Sequence, residues 1–242
     1  MGITQSNFDG LTKVEVATKL LQAWEPEEGY YLAFSGGKDS VVIYDLAIKS
    51  GVNFDAHYCV SPIDPREVQL FIKEVYPEVI WDYHARGFWK MVVKKGLPMR
   101  QGRWCCQVIK EAGGLGRTVI LGNRREEGTI RKKQKCYGPH RSQDKFFVRP
   151  IIDWNVGEVW EYIKMENLPY CSLYDEGFHR LGCILCPFER DVQRSIDRFP
   201  KITNLWRRAC DRIVEYRLAS GKVYKYDWQN GQEMWEWWIR RD

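Results

Sequence analysis

One stretch limits the folds open to this chain more than any other: YYLAFSGGKDSVVIYDLAIKSG, residues 30–51. It opens with an apolar run of strand length, and it closes with apolar residues at helical spacing that stop at Gly51, a natural helix terminator. Between them lies a turn of two glycines, a lysine and hydroxyl residues. Gly36 and Gly37 have no β-carbon, so the backbone can take positive φ and bring several N–H groups to one anion. The helix that follows adds its positive N-terminal end. Lys38 supplies a full charge, Ser35 and Ser40 supply hydroxyl donors, and Asp39 supplies a carboxylate suited to orienting the turn or holding a magnesium ion. A Walker-type loop needs glycine at position 32 and Ser or Thr at 39, where Leu32 and Asp39 stand. This is a phosphate turn of another kind.

The alternation continues on both sides. Thr12 and Glu15 form a capping-box pattern ahead of a helix through Trp24. Strands are expected near 54–60, 79–83 and 118–122, with helices over 65–75 and 88–95 between them. Strands separated by helix-length segments predict an α/β fold, a Rossmann-like parallel sheet with helices on both faces. Ligands of such sheets bind at the carboxyl ends of the strands. The turn at 35–40, the segment VSPID at 60–64 and GNRREE at 122–127 all follow strands, so they are expected to converge on one crevice. Past residue 153 the pattern turns helical. The expected division is a nucleotide-binding α/β domain over 1–153 and a helical C-terminal subregion over 154–242 packed on it.

Charge and composition narrow the class only slightly. The 242 residues carry 37 Lys and Arg against 32 Asp and Glu, and an excess of +5 suits anionic ligands without identifying a nucleic-acid binder. Apolar runs fall far short of the roughly 20 residues that span a bilayer, so a cytoplasmic protein with no membrane partner is expected. In that setting eight cysteines point to metal or redox chemistry rather than disulfides. Four of the eleven Trp crowd into DWQNGQEMWEWWIRRD at the end, which reads as a tail packed onto the body, with base stacking as the alternative.

Four cysteines form a pattern. GRWCCQVIKE supplies Cys105 and Cys106, and RLGCILCPF supplies Cys183 and Cys186. Four thiolates suit zinc or an iron–sulfur cluster. Around one zinc the sulfurs crowd together, which is awkward for helix neighbours whose side chains point about 100° apart. A [4Fe-4S] cluster, with wider corners, is the favoured reading. Cys59 and Cys210 read as core residues, while Cys136 in a basic loop and Cys171 near the cluster loop are candidate reactive thiols. The four histidines show no metal or triad spacing, and His179, just before the cluster loop, suits an outer-sphere donor.

SGGKDS, RWCC, LGNRREE, PIIDWNVGEVWEYI and LPYCSLYDEGFHRLGCILCP, in that order over residues 30–190, resemble the phosphoadenosine phosphosulfate (PAPS) reductase family of the PP-loop, adenine-nucleotide α-hydrolase-like superfamily. The paired cysteines are similar to its cluster-bearing adenylyl sulfate (APS) reductase branch and to sulfur-transfer enzymes of DNA phosphorothioation. The resemblance implies that Ser35, Gly36, Gly37, Lys38, Asp39 and Ser40 bind the phosphates of ATP, APS or PAPS. It also implies that Ser61, Asp64 and Gly122 lie by the nucleotide, that Arg124, Arg125 and Arg131 face the anion, and that Cys105, Cys106, Cys183 and Cys186 hold the cluster. Lys38, Arg124 and Arg125 are the expected catalytic groups. Lys132, Lys133, Lys135 and Arg141 extend the basic segment, for which a solvated loop is the plain alternative.

One departure separates this sequence from the family reductases, whose nucleophile lies in a C-terminal Glu-Cys-Gly motif: no cysteine here follows Cys210. Reductase chemistry then calls on Cys136, Cys171 or a partner protein. The reductase reading, with a thiol electron donor as partner, stands first. The alternative is an ATP pyrophosphatase-type sulfur transferase with a sulfur donor protein and a nucleic-acid substrate. A nucleotide-binding redox sensor is the third reading, and a homodimer is the expected assembly.

Overall fold

A computed structural model describes residues 2–4, 10–221 and 226–240. By packing, the chain forms two units: Met1–Cys59, Arg66–Asp82 and Ala112–Leu181 make up the first, and Val60–Pro65, Tyr83–Glu111 and Gly182–Asp242 the second.

The first unit is built on a six-stranded sheet. Strands β1 (Tyr30–Ala33), β2 (Phe54–Cys59), β3 (Ile80–Asp82), β4 (Thr118–Ile120), β5 (Tyr137–Pro139) and β6 (Phe146–Val148) lie in the order β3-β2-β1-β4-β6-β5. Pairings are parallel except for the edge hairpin β5/β6. The expected parallel α/β sheet is therefore present, extended by two strands whose three-residue length gives too few alternations to read from sequence. Tyr30, Tyr31 and Leu32 are all buried. Successive residues of a strand point to opposite faces, so β1 is covered on both.

Helix α1 (Lys13–Ala23) carries the expected capping box: the Thr12 hydroxyl accepts from the Glu15 N–H, and the Glu15 carboxylate accepts from the Thr12 N–H. Its end is tied to β1 by the Tyr30 hydroxyl, which donates to the Leu21 carbonyl at 2.7 Å, and Trp24 stacks on Tyr137 of the edge hairpin at 4.0 Å. Helix α2 (Lys38–Ser50) ends at Gly51, with φ 71°. Val42, Ile43, Leu46 and Ala47 are fully buried, each of the larger ones contributing about 1.5–3 kcal/mol. Helix α3 (Arg66–Val75) turns Val68 and Ile72 inward.

The second unit is helical: α4 (Phe88–Lys95), α5 (Trp104–Ile109), α8 (Val192–Arg198), α9 (Pro200–Ser220) and α10 (Gly231–Arg240), with α6 (Thr129–Lys132) and α7 (Val156–Met165) belonging to the first. Pro200 opens α9, where its missing N–H costs nothing. The Trp-rich tail packs as expected: Trp206, Trp235 and Trp238 are buried where α9 meets α10, and the Trp238 indole donates to the Pro98 carbonyl at 3.0 Å. Among the described residues no helix is long and apolar enough to cross a membrane.

Candidate functional site

β1 runs into the turn at 35–40 and β4 into the loop at 121–124, and the strand order reverses between these two neighbours. A reversal of that kind opens a crevice outside the carboxyl ends of the strands. Gly36 takes φ +70°, and an added Cβ there would lie 2.9 Å from Val68 Cγ1 and 3.0 Å from Ile72. No other residue fits at both counts. Across the crevice, a Cβ on Gly122 would meet the Asp39 carbonyl oxygen at 3.0 Å, so glycine lets the second loop close onto the first.

The charges between the loops are paired and largely dry. Lys38 is 3% exposed and Arg124 4%. Asp39 joins them, accepting from Lys38 Nζ at 3.1 Å and from Arg124 Nε at 2.7 Å. The Lys38 ammonium also reaches the His179 carbonyl at 3.5 Å, and Arg124 Nη1 reaches Glu126 at 2.9 Å. Ser40 donates to the Gly37 carbonyl at 2.7 Å and lies 3.2 Å from the exposed Ser35 hydroxyl, whose oxygen also accepts the Gly37 N–H. Tyr174 closes the turn from the far side, its hydroxyl accepting the Lys38 N–H at 2.9 Å. Burial holds that phenol well above its ordinary range, so it stays protonated. Magnesium fits this donor set poorly, because both Asp39 oxygens are engaged by cations and one carboxylate remains the only hard anionic ligand on the turn.

The neighbouring cations are placed elsewhere. Arg125 gives Nε and Nη2 to the Gln134 carbonyl at 3.1 and 3.0 Å and pairs with Asp153, while Arg131 pairs with Glu127 one helical turn away. Arg124 leaves β4 in extended conformation, φ −123° and ψ 144°. Arg125 opens a short 3-10 turn, Arg125–Glu127, and its side chain goes to Gln134 and Asp153 rather than to Asp39.

In the second unit, Cys105 and Cys106 sit on the first turn of α5, and Cys183 and Cys186 bracket a tight knuckle in which the Cys186 N–H donates to the Cys183 carbonyl at 3.1 Å. Leu185 in that knuckle takes φ +59°, a left-handed conformation that costs a side-chain-bearing residue of order 1–3 kcal/mol. The other three thiols are close enough to Cys105 to oppose its ionisation. A hydrogen bond between the neighbours holds Cys106 down at about 6 and pushes Cys105 up, and burial pushes Cys183 up. The Ser61 hydroxyl is 3.5 Å from Cys183 Sγ, and Asp64 and Lys110 bear on the same sulfur. Sulfurs on one zinc lie roughly 3.8 Å apart at bond lengths of ~2.3 Å. Among the described residues no three of these sulfurs fall within 4.8 Å of one another. These sulfurs are therefore spread more widely than a single zinc would hold them.

Of the other thiols, Cys171 and Cys210 are buried and burial raises both, Cys210 to about 12, while Cys136 is half-buried beside Arg149. Tyr174 and Lys110 escaped the reading of the sequence. Nothing in a lone tyrosine two residues past Ser172, or in a lysine on a short helix, announces its partner.

Strand order 3-2-1-4, with a glycine–lysine turn at the reversal, defines a PP-loop type of α/β nucleotide fold. The model of the phosphoadenosine phosphosulfate reductase domain matches residues 29–189, and the chain belongs to that family. An uncharacterized protein of Methanocaldococcus jannaschii is 30% identical over 217 residues, covering 82% of this chain and 45% of that protein. A second from the same organism is 31% identical, and the chain covers 50% of it. The chain thus spans about half the length of these relatives. The adenosine 5′-phosphosulfate reductase of Oceanobacillus iheyensis is 29% identical over 194 residues, 70% of this chain and 77% of that one. Among solved structures, the phosphoadenylyl-sulfate reductase of Candida auris superposes with a TM-score of 0.52 at 15% identity, over 69% of this chain and 87% of its own; at that identity the likeness is one of fold.

Proposed function

We propose that this chain is an iron–sulfur PP-loop enzyme that splits an adenylyl sulfate, APS or PAPS, to sulfite and an adenine nucleotide, using a thiol protein as electron donor. One observation carries the reading: two cations, Lys38 and Arg124, lie buried on a single carboxylate at the strand-order reversal, beside a glycine turn held at positive φ.

In this reading the 35–40 turn binds the nucleotide phosphates, which compete with Asp39 for the two cations. A donor thiolate attacks the sulfate sulfur. The sulfur–oxygen bond to the nucleotide breaks, and a second donor thiol releases sulfite as the pair becomes a disulfide, two electrons having passed from donor to sulfur. Lys38 and Arg124 stabilise the negative charge that gathers on the departing nucleotide, a contribution that preorganised groups in a dry site make strongly. Cys105, Cys106, Cys183 and Cys186 would hold a [4Fe-4S] cluster. When bound, that cluster supplies a charged centre whose field is tuned by its surroundings.

The test is anaerobic purification followed by parallel assays for sulfite from APS or PAPS with a dithiol protein and for pyrophosphate from ATP. Sulfite release is expected, falling about 100-fold in Lys38→Ala, together with a brown colour and bound iron that vanish in Cys183→Ala. Pyrophosphate from ATP without sulfite would replace this reading with ATP-dependent sulfur transfer. Neither product, with nucleotide binding retained, would make the chain a sensor, and a colourless protein with stoichiometric zinc would overturn the cluster.

A further inference from the structure

Within the second unit, α4 and α9 leave between them a groove of about 250 Å³ lined by Trp89, Lys90, Val93, Lys94, Arg212 and Tyr216. Its chemistry is unusual for a seam between two packed helices. It holds three cations, two aromatic rings and no acid. Lys90, Lys94 and Arg212 are exposed, and among the described residues none of them is in an ion pair. Lys90 and Lys94 are one helical turn apart on α4, and Arg208, Arg212 and Tyr216 form a second row at the same interval on α9. Like charges at that spacing repel. The acids of α9 do not relieve them: Asp211 turns to the opposite side, against Gly231 of α10, and Glu215 is outside the lining.

The rings are placed for contact rather than for the core. Tyr216 is 47% exposed. Trp89 is half-buried, its edge-on packing against Trp206 at 5.0 Å fixing the indole from one side. A groove lined by two cations about 6 Å apart along α4, a third on α9, and the rings of Trp89 and Tyr216 matches a ligand bearing both regularly spaced negative charge and flat faces. An acidic peptide supplies the first and not the second.

We propose that the α4/α9 groove binds single-stranded nucleic acid, with Lys90, Lys94 and Arg212 on the phosphates and Tyr216 and Trp89 against the bases. The inference concerns a surface built from the second unit alone and does not depend on the reaction proposed above.

The experiment is fluorescence anisotropy of the full chain with a labelled 20-nucleotide single strand of thymidine or uridine, titrated at several salt concentrations without nucleotide. Binding is expected to weaken with salt. The variant Lys90→Ala/Lys94→Ala/Arg212→Ala should lower the slope of log affinity against log salt by about 2, at ~0.7 per phosphate contact. Tyr216→Ala should weaken binding about tenfold without changing that slope. All four residues are exposed, and circular dichroism checks that the variants stay folded. Absence of binding at 50 mM salt would overturn the proposal. So would a triple variant that binds like the parent, tighter binding to duplex than to single strand, or equal affinity for polyglutamate that ignores Tyr216→Ala; the last would mark an acidic protein partner instead.

Discussion

Around Lys38 the charges alternate, cation, carboxylate, cation, and the special backbone position falls on a glycine. Around Cys183 and Cys105 like groups gather: Asp64 opposes ionisation of the first while Lys110 favours it, the other three thiols oppose that of the second, and the special position falls on Leu185. The first region is a closed set of ion pairs that stands without a ligand and exchanges one anion for another. The second gathers groups of one kind, which added positive charge would relieve. Strain on a side-chain-bearing residue between two of the sulfurs belongs to the same picture, since such conformations persist where the surroundings enforce them.

The sharpest way to break this comparison is Arg124→Ala. Removing one partner of a buried ion set leaves Asp39 with a single cation, and stability should fall by about 3 kcal/mol, read as a lower urea midpoint at unchanged slope. An unchanged midpoint would mean that alternation of charge does not hold the turn. Next is Gly36→Ala. A left-handed residue with a Cβ costs ~1–2 kcal/mol, and crowding against Val68 and Ile72 adds to it, so a loss of about 2 kcal/mol with weakened nucleotide binding is expected. Ala in place of Gly51, also left-handed but with open space around it, should cost less, and equal losses would show that the turn is not specially crowded.

The smallest effect sharpens the comparison from a third charge cluster. Asp55 accepts from Arg117 Nη2 at 2.6 Å and pairs with His57, whose other ring nitrogen is 2.9 Å from Asp82. Burial by itself raises the Asp55 carboxyl, but the hydrogen bonds and charges of Arg117 and His57 outweigh it and hold the group below its usual range. A depressed carboxyl stabilises the fold fully above its unfolded value near 3.9 and loses that contribution as pH falls through the folded value. The pair is partly exposed, so the effect is under about 1 kcal/mol. Asp55→Asn should therefore lower the urea midpoint slightly at pH 6, and by progressively less as the pH falls below the carboxyl's ordinary range. A difference that does not shrink as the pH is lowered would assign the loss to packing.

Local chemistry was enough to read much of this chain. An apolar run, a glycine turn and a helical period announce strand, phosphate turn and helix at 30–50, and the Thr12 and Glu15 capping box follows from four consecutive residues. The four cysteines were legible as a set because their chemistry is rare. What the sequence alone left open has one common cause: which of several like residues meets which partner depends on contacts far apart in the chain. Arg124 faces the turn and Arg125 does not because the fold brings Asp39, 85 residues away, to the first, and Gln134 and Asp153 to the second. The Tyr174 hydroxyl reaches the Lys38 N–H across 136 residues, and the edge hairpin finds its place by lying against β4 and Trp24. Sequence determined which elements and which reactive groups exist, since those follow from side-chain size, charge and period. Tertiary structure decided their pairing, because burial and hydrogen bonding are settled only when distant segments meet.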